Sequence, residues 1–209
     1  MTLRTISDFK SKLQGGGARP NLFEVSIPAF PSALQSAWTN TVSEKFSFMC
    51  EATSMPASTV NPIDIPFRGR ILKVAGDRTI DIWSVTVIND EDFDIRSAFE
   101  QWANLISKLN NASGATDPNA YMVNAFVKQL GRGAEKSSKT NTNGNNAAVL
   151  RTYKLYDIWP SSVGPIDLSY ADNNTIERFT VDFQMQWFEI GDTSSGGGTN
   201  ANLSGDVIQ

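Results

Sequence analysis

A stretch of alternating residues between positions 175 and 188 constrains the fold more than any other feature of this sequence. Its apolar positions are Phe179, Val181, Phe183, Met185 and Trp187, and its polar positions are Arg178, Thr180, Asp182, Gln184 and Gln186. Strict alternation predicts a long β-strand with one dry face and one wet face. Because the wet face carries no bulky apolar side chain, it is suited to lining a water-filled space.

Shorter alternating stretches predict further strands on both sides of a single helix. Before the helix, strands are expected at residues 22–27, 46–52, 67–74 and 80–88, and after it at 121–130, 149–159 and 166–170. A tight turn at 75–78 is expected to join two of them as a hairpin. The sequence therefore predicts a mainly β fold, an antiparallel β-sandwich or barrel with one flanking α-helix.

The predicted helix covers residues 91–109. Its apolar stripe is formed by Phe99, Trp102, Ala103, Ile106 and Leu109, which follow the 3.6-residue period. Asn89 or Asp90 is expected to cap it, and Glu91, Asp92 and Asp94 place negative charge where the helix dipole favours it. Capping explains these acidic residues better than a calcium site does, since the loop glycine and terminal glutamate of an EF-hand are missing.

The ends of the chain differ in composition from its middle. Residues 1–18 are predicted to form an N-terminal arm, 19–190 the β domain, and 191–209 a flexible, glycine-rich tail. In the arm, Ile6, Phe9 and Leu13 can share one face of a short helix that the glycines at 15–17 end. So short a helix is marginal alone, so it is expected to dock, with a neighbouring subunit as one candidate.

Composition excludes several classes of function. The chain has 209 residues, no histidine, one cysteine and a net charge of −4. Without histidine and with a single thiol, the Ser–His–Asp and Cys–His nucleophiles and the common zinc sites are impossible, and no catalytic, cofactor or metal set is expected. Cys50, on the predicted face of Phe46 and Phe48, is expected to be a buried thiol. The net negative charge does not indicate a basic surface that would bind DNA. No signal peptide or membrane-length apolar run is visible, which indicates synthesis and assembly in a cytoplasm.

Five segments in the same order resemble those of one known family. They are 18–23 (ARPNLF), 48–53 (FMCEAT), 74–79 (VAGDRT), 83–91 (WSVTVINDE) and 155–160 (LYDIWP). Together they closely resemble the tail tube proteins of contractile-tailed, T-even-like bacteriophages, over roughly residues 18–189. The loops 29–43 and 131–146 and the tail after Glu189 depart from the shorter family pattern.

The resemblance implies a tail tube fold and a structural, non-enzymatic function in the virion tail. Six subunits are expected to form a ring, and rings to stack into a hollow tube inside a contractile sheath. The expected partners are further copies of the chain, the tail sheath protein, and the baseplate and tail terminator proteins. Tape measure protein and DNA are expected to occupy the lumen transiently. The same fold is expected in the tubes of type VI secretion and R-type bacteriocins.

A subunit or ring interface is expected in the proline-rich segment after residue 54. Its apolar residues Met55, Val60, Ile63 and Ile65 lie among prolines, where they cannot all reach the core, so an exposed patch is predicted. We expect residues 55–70, with Arg68 and Arg70, to contact the adjacent ring or subunit. Asp77 and Arg78 are interpreted as a structural pair in a turn, or alternatively Arg78 pairs with an acidic group of the neighbour.

Other functions remain open from the sequence alone. Within the structural class, the chain is alternatively a baseplate protein that starts the tube, or a tube subunit of a contractile secretion system. From another class, a carbohydrate-binding β-sandwich is possible, in which exposed aromatic residues such as Trp38 form a platform. Buried aromatic residues would count against that alternative.

Overall fold

The computed structural model describes residues 5–13, 17–132 and 149–191. Three α-helices are described: α1 (Ile6–Lys12), α2 (Asn40–Met49) and α3 (Asp94–Ile106), with a short 3-10 helix at Pro118–Ala120. The strands are β1 (Phe23–Ser26), β2 (Cys50–Thr53), β3 (Ser58–Phe67), β4 (Arg70–Ile80), β5 (Trp83–Ile88), β6 (Val123–Leu130), β7 (Val149–Val163), β8 (Arg178–Gln184) and β9 (Trp187–Gly191). The mainly β prediction is confirmed. Helix α3 corresponds to the flanking helix and α1 to the arm helix that the sequence predicts, whereas α2 was not expected. The predicted loop 131–146 and tail 191–209 lie almost wholly outside the described residues.

Most strands belong to one antiparallel sheet with the order β1-β6-β7-β8-β5-β2. Strand β7 has 15 residues and holds this sheet together. Its first half pairs with β6 on one side and with β9 on the other, and its last residues pair with β8. The strands predicted at 121–130 and 149–159 are therefore confirmed, with β7 extending four residues further.

The long strand predicted at 175–188 is divided into β8 and β9. Its dry face is confirmed as far as Met185, because Phe179, Val181, Phe183 and Met185 are all buried. Between the two strands the chain bends, and the Gln186 amide donates to the Tyr156 carbonyl oxygen. Trp187 is consequently half-exposed and stacks on Tyr156 instead of entering the core.

The strand predicted at 46–52 is wrong over most of its length, because helix α2 occupies residues 40–49. The Thr39 hydroxyl caps this helix by accepting from the Val42 amide at 3.3 Å. Val42 and Phe46, one helical turn apart, face the core, whereas Phe48 is 86% exposed. Phe46 and Phe48 fit the two-residue period of a strand by coincidence. The residues that are buried, Val42 and Phe46, are four positions apart, as in a helix. Cys50 is buried, as predicted, at the first position of β2.

Helix α3 is shorter than predicted at both ends. Its N-cap is Phe93, in the left-handed region with φ 55°, and no side chain caps it. The capping roles predicted for Asn89 and Asp90 are therefore wrong: Asn89 donates to the Glu177 carboxylate, and Asp90 pairs with a lysine of α2. The predicted stripe holds at Phe99 and Trp102, which are buried, but ends before Leu109, which is 94% exposed.

The predicted hairpin of 67–74 with 80–88 is also wrong. Strand β4 runs without a break through the expected turn at 75–78 and pairs with β3. The chain reverses instead at Arg68 and Gly69, which both have positive φ (45° and 82°), as a two-residue hairpin turn requires. Near Gly76 the register shifts, so the extra residue forms a β-bulge rather than a turn.

The core is built from aromatic residues of the sheet and of helices α2 and α3. The Phe99 ring contacts the rings of Trp38, Phe46, Trp102, Phe179 and Phe183, with centroids 4.9–6.3 Å apart. The indole N–H of Trp102 donates to the Tyr121 carbonyl at 2.8 Å, and that of Trp83 to the Thr53 hydroxyl at 2.9 Å. Aromatic burial on this scale supplies much of the driving force for folding. The helices thus close one side of the sheet and leave the β3–β4 hairpin outside the core.

Candidate assembly surfaces

The β3–β4 hairpin (Ser58–Ile80) forms a separate two-stranded sheet within the described structure. Strand β3 alone has ten residues, which corresponds to about 33 Å of extended chain. Almost every residue of both strands is exposed. An isolated two-stranded hairpin is only marginally stable in water, so a hairpin of this length needs a surface to cover it.

One face of the hairpin is apolar. The cross-strand pairs Ile63 with Val74 and Ile65 with Leu72 place these side chains on the same face, with Phe67 beside them. Their exposed fractions range from 43% to 66%. Clustered exposure of large apolar side chains marks an interaction site more often than an ordinary surface. The residues Ile63, Ile65, Phe67, Leu72 and Val74 are called the apolar face below.

The remaining predicted interface residues are not confined to one place. Arg70 lies directly across from Phe67, on the side of the apolar face, whereas Val60 and Arg78 lie on the opposite face. Val60 lies directly across from Arg78, and Asp64 pairs with Lys73 at 3.2 Å. Met55 lies just before β3 and is 43% exposed. Among the described residues, Asp77 and Arg78 make no ion pair with each other, so the predicted structural pair is wrong.

Arg68 and Arg70 flank the hairpin turn at Gly69. In the described part of the chain neither arginine has a carboxylate partner, and Arg68 lies over the Phe67 ring at 5.3 Å. Gly76 is required where the bulge brings the strands together, because a Cβ there would lie 2.8 Å from the Asn61 carbonyl oxygen. The glycine at position 76, which suggested a turn in the sequence, is therefore explained by a close contact between the two backbones.

A second surface is the outer face of the four-stranded section β2, β5, β8 and the end of β7. It carries short polar side chains: the Ser84 hydroxyl donates to Asp182, and the Thr86 and Thr180 hydroxyls are 3.3 Å apart. Its arginine, Arg178, is paired with Glu51 of β2. The one cation of this set is thus paired, Asp182 keeps its negative charge, and the hydroxyl groups of Thr86 and Thr180 face solvent.

A third surface was missed by sequence reasoning. The strand predicted at 166–170 is absent, and residues 164–177 form a loop between β7 and β8. Leu168 is 81% exposed and Tyr170 fully exposed, while Ile176 is 61% exposed. The available signal was the run Asp172–Asn173–Asn174, whose residue types favour turns over strands.

The N-terminal helix α1 forms as predicted but docks on nothing in the described chain. Thr5 and Asp8 make a reciprocal capping box that starts it. Ile6, Phe9 and Leu13 are 78%, 66% and 44% exposed. The short helix therefore presents a free apolar face.

Catalytic and ligand-binding features are not found among the described residues. In the part of the chain that the structure describes, no three histidine, cysteine or carboxylate side chains are arranged to hold a metal ion, and no helix is both long and apolar enough to cross a membrane. A cavity of about 420 Å³ lies beside Trp38, but its lining includes no acid, base or thiol. Trp38 itself is 4% exposed and stacked on Phe30, so the exposed aromatic platform of a carbohydrate-binding module is not present at this residue.

Two described residues, Lys45 and Cys50, have a pKa that departs clearly from its ordinary value. The Lys45 ammonium contacts the carboxylates of Asp90 (2.5 Å), Asp94 (3.2 Å) and Asp92 (3.3 Å), which raises the Lys45 pKa. This cluster ties α2 to the start of α3. Burial raises the pKa of the Cys50 thiol to about 12, so it stays protonated and unreactive. Both shifts belong to structural groups.

The described residues thus present exposed apolar surfaces and no chemical site, which is the pattern expected of a structural protein. The sequence of tail tube protein gp19 of Enterobacteria phage T4 is 33% identical over 175 residues, which cover 84% of this chain and 93% of that protein. The phage tail tube protein family model matches residues 18–190. The chain belongs to the phage tail tube protein family, and it is a structural component of the phage tail, not an enzyme.

Solved structures share the fold at low sequence identity. A chain from the baseplate of the anti-feeding prophage, solved with six-fold symmetry, superposes with a TM-score of 0.54 at 14% identity and covers 84% of this chain and 96% of that one. A chain from the sheath–tube complex of an extracellular contractile injection system, PVC, superposes with a TM-score of 0.50 at 13% identity, covering 91% and 99%. The tail tube fold expected from the sequence is thus confirmed.

Proposed function

We propose that six copies of this chain form a ring and that rings stack into a hollow tube, inside a contractile sheath, through which DNA leaves the virion. The observation that carries this proposal is the β3–β4 hairpin, which pairs with no other strand of the described chain and exposes an apolar face. The subunit must be soluble before assembly, and the tube that it forms must be permanent. An exposed apolar face meets this need, because burying that face against a neighbour supplies the free energy of association.

The hairpin is proposed to contact the adjacent ring or subunit. The apolar face supplies Ile63 and Ile65, with Met55 and Val60 nearby, and Arg68, Arg70, Asp77 and Arg78 supply charge. Once a neighbour covers the hairpin, its apolar side chains leave water, and the two-stranded sheet gains the packing that it lacks alone.

The free edges of the four-stranded section support closure into a ring. One edge is β2; the other is the end of β7 after Ile158, where pairing with β6 stops. Joining the β2 edge of one copy to the β7 edge of the next removes both exposed edges, and a head-to-tail contact of this kind closes into a ring. The six-fold symmetry of the structurally similar baseplate favours six copies.

The dimensions suit a DNA channel. Six copies of four strands spaced by ~4.8 Å give a circumference of roughly 115 Å and a backbone diameter of about 37 Å, before strand tilt widens it. Subtracting the inward side chains leaves room for a double helix. The Arg178–Glu51 pair and the hydroxyl groups of Thr86 and Thr180 would present DNA with a wall that has few free cations to hold it.

The remaining partners follow from the position of such a tube. The sheath protein is proposed to surround it, the baseplate and terminator proteins to bind its two ends, and tape measure protein and DNA to occupy the lumen in turn. The similar solved chains come from a sheath–tube complex and a baseplate, which supports this arrangement. The protein would be assembled in the host cytoplasm and reside in the virion tail.

A shortened hairpin tests the proposal. Residues 61–77 would be replaced by Asn-Gly, so that a two-residue turn joins the paired residues Val60 and Arg78. The change keeps Thr53 as the partner of the Trp83 indole and so spares the core. We expect a folded protein that forms no tubes in negative-stain electron microscopy. Single rings would identify the hairpin as the contact between rings, and monomers would identify it as a contact within the ring. Tubes of normal length would refute its proposed role.

The alternative of a baseplate protein that starts the tube is kept because one structurally similar chain comes from a baseplate. The two functions differ in what the purified chain does alone. A major tube subunit adds to itself without limit, whereas an initiator stops at one or a few rings. Tube length as a function of protein concentration separates them.

A further inference from the structure

We propose that the turn of the β3–β4 hairpin of one copy docks on the loop 164–177 of a neighbouring copy, through opposite charge and exposed apolar side chains. The inference rests on the proposed function, which gives the hairpin a neighbour, and it identifies the surface that receives it. The side chains of Arg68 and Arg70 on the hairpin, and of Asp167 and Asp172 on the loop, make no ion pair within the described chain.

The hairpin is the basic partner. Residues 58–80 contain four basic and two acidic side chains, a net charge of +2 in a chain whose total is −4. Of the basic residues, Lys73 is already paired with Asp64. Arg68 and Arg70, on either side of the turn at Gly69, have no carboxylate partner among the described residues and are exposed. The turn therefore carries two available guanidinium groups.

The loop is the acidic partner. Residues 164–177 contain Asp167, Asp172 and Glu177 and no lysine or arginine, a net charge of −3. Glu177 accepts a hydrogen bond from Asn89, but Asp167 and Asp172 are exposed and, in the described part of the chain, make no ion pair. Two available carboxylates thus face two available guanidinium groups, which can pair through strong charge-assisted hydrogen bonds.

Apolar side chains accompany the charges on both surfaces. Around the hairpin turn, Phe67, Ile71 and Leu72 are 66%, 63% and 59% exposed. On the loop, Leu168 and Tyr170 are 81% and fully exposed. Such a mixture of apolar contacts and paired charges is typical of protein interfaces, and arginine stacking on the exposed Tyr170 ring adds a cation–π contact.

A competing acidic surface, residues 90–94, fits less well. Lys45 of the same chain already contacts three of its carboxylates, those of Asp90, Asp92 and Asp94. The only large apolar side chain there with notable exposure is Phe93, at 44%, which also forms the N-cap of α3. A basic hairpin would have to displace Lys45, whereas the loop 164–177 offers its charges unpaired.

The test is a charge reversal followed by its repair. The double variant Arg68→Glu/Arg70→Glu is expected to raise the protein concentration needed for tube formation at least about tenfold, since like charges then meet at the contact. Asp167→Arg/Asp172→Arg alone is expected to do the same. Combining all four substitutions is expected to restore tubes. Circular dichroism on each variant confirms that the subunit is folded.

A matched control changes the same number of charges elsewhere. Glu44→Arg/Glu91→Arg, at two exposed positions beside the competing acidic surface, should not repair the hairpin variant. If this control repairs it as well as the loop substitutions do, or if neither does, the loop is not the docking surface, although the hairpin interface stands. If the hairpin reversal leaves tubes unaffected, the hairpin contact of the proposed function fails as well.

Discussion

Replacing Ile63 and Ile65 by serine is expected to abolish tube formation while leaving the subunit folded. Both side chains lie on the apolar face of the hairpin, opposite Val74 and Leu72, and are 53% and 45% exposed. Neither belongs to the buried core. The double substitution therefore removes apolar surface that only a neighbouring chain can bury.

The expected loss follows from the surface that is still exposed. Complete burial of an isoleucine side chain contributes about 1.5–3 kcal/mol, and about half of each side chain remains to be buried, so each contributes about 1 kcal/mol on assembly. Two substitutions thus remove about 2 kcal/mol per hairpin, roughly a 30-fold change in an association constant. With six hairpins in each ring contact, the loss reaches about 12 kcal/mol. The subunit's own free energy of unfolding should change by less than about 0.5 kcal/mol.

The assay is sedimentation of assembled material over a range of protein concentrations, with electron microscopy of the pellets and thermal unfolding of the soluble fraction. Leu109→Ser is the matched control, because Leu109 is 94% exposed but lies outside the hairpin. The control should assemble like the wild-type protein. Tubes of the double variant at wild-type concentrations would show that the apolar face is not an interface. An equal loss in the control would show that the effect is general to surface apolar residues.

Three further substitutions or conditions test the structure of the subunit. Phe99→Ala should destabilise it by about 3–5 kcal/mol and lower the unfolding midpoint by roughly 10 °C, because a fully buried ring is lost from the aromatic core. Because burial raises the Cys50 pKa to about 12 while an unfolded thiol ionises near ~8.5, stability should fall as pH rises between those values, and iodoacetamide should label only unfolded protein at pH 9. Lys45→Met should lower the unfolding midpoint at neutral pH, because the ammonium that contacts three carboxylates is lost. The Lys45 pKa is raised, chiefly by the Asp90 hydrogen bond, so the wild-type contacts keep their charge at mildly alkaline pH. The difference in midpoint between variant and wild-type protein should therefore persist there and shrink only in strong alkali. Unchanged midpoints for both variants, or rapid native labelling, would contradict the described packing.

The sequence predicts the fold correctly where the apolar residues fit only one hydrophobic period and the residues at that period are also the ones that the core buries. The dry face of β8 and the stripe of α3 both face the aromatic core, so alternation and helical spacing identified Phe179 and Phe99 correctly. At residues 46–50 two periods fit the same phenylalanines, and only the packing of Phe46 against Phe99 decides for a helix. The local sequence alone cannot decide between a strand period and a helix period when the choice depends on a contact with a residue far away in the chain.

The hairpin shows the same limit for turns. Both 68–69 and 75–78 contain a glycine next to charged residues, and the chain reverses at the first because Arg68 and Gly69 adopt the positive φ that the turn needs. The exposure of Ile63 and Ile65 was nevertheless predictable, since prolines in both flanking positions exclude an interior strand. The loop at 164–177 was missed because Leu168 and Tyr170 look like core residues when their surroundings are unknown.

Electron microscopy of the purified full chain tests the central claim most directly. Negatively stained protein at rising concentrations is predicted to show hollow tubes of uniform width, with six-fold symmetry in end views and a stain-filled channel wide enough for duplex DNA. Solid filaments, rings with another number of subunits, or a monomer that fails to associate even when baseplate components are added would contradict it.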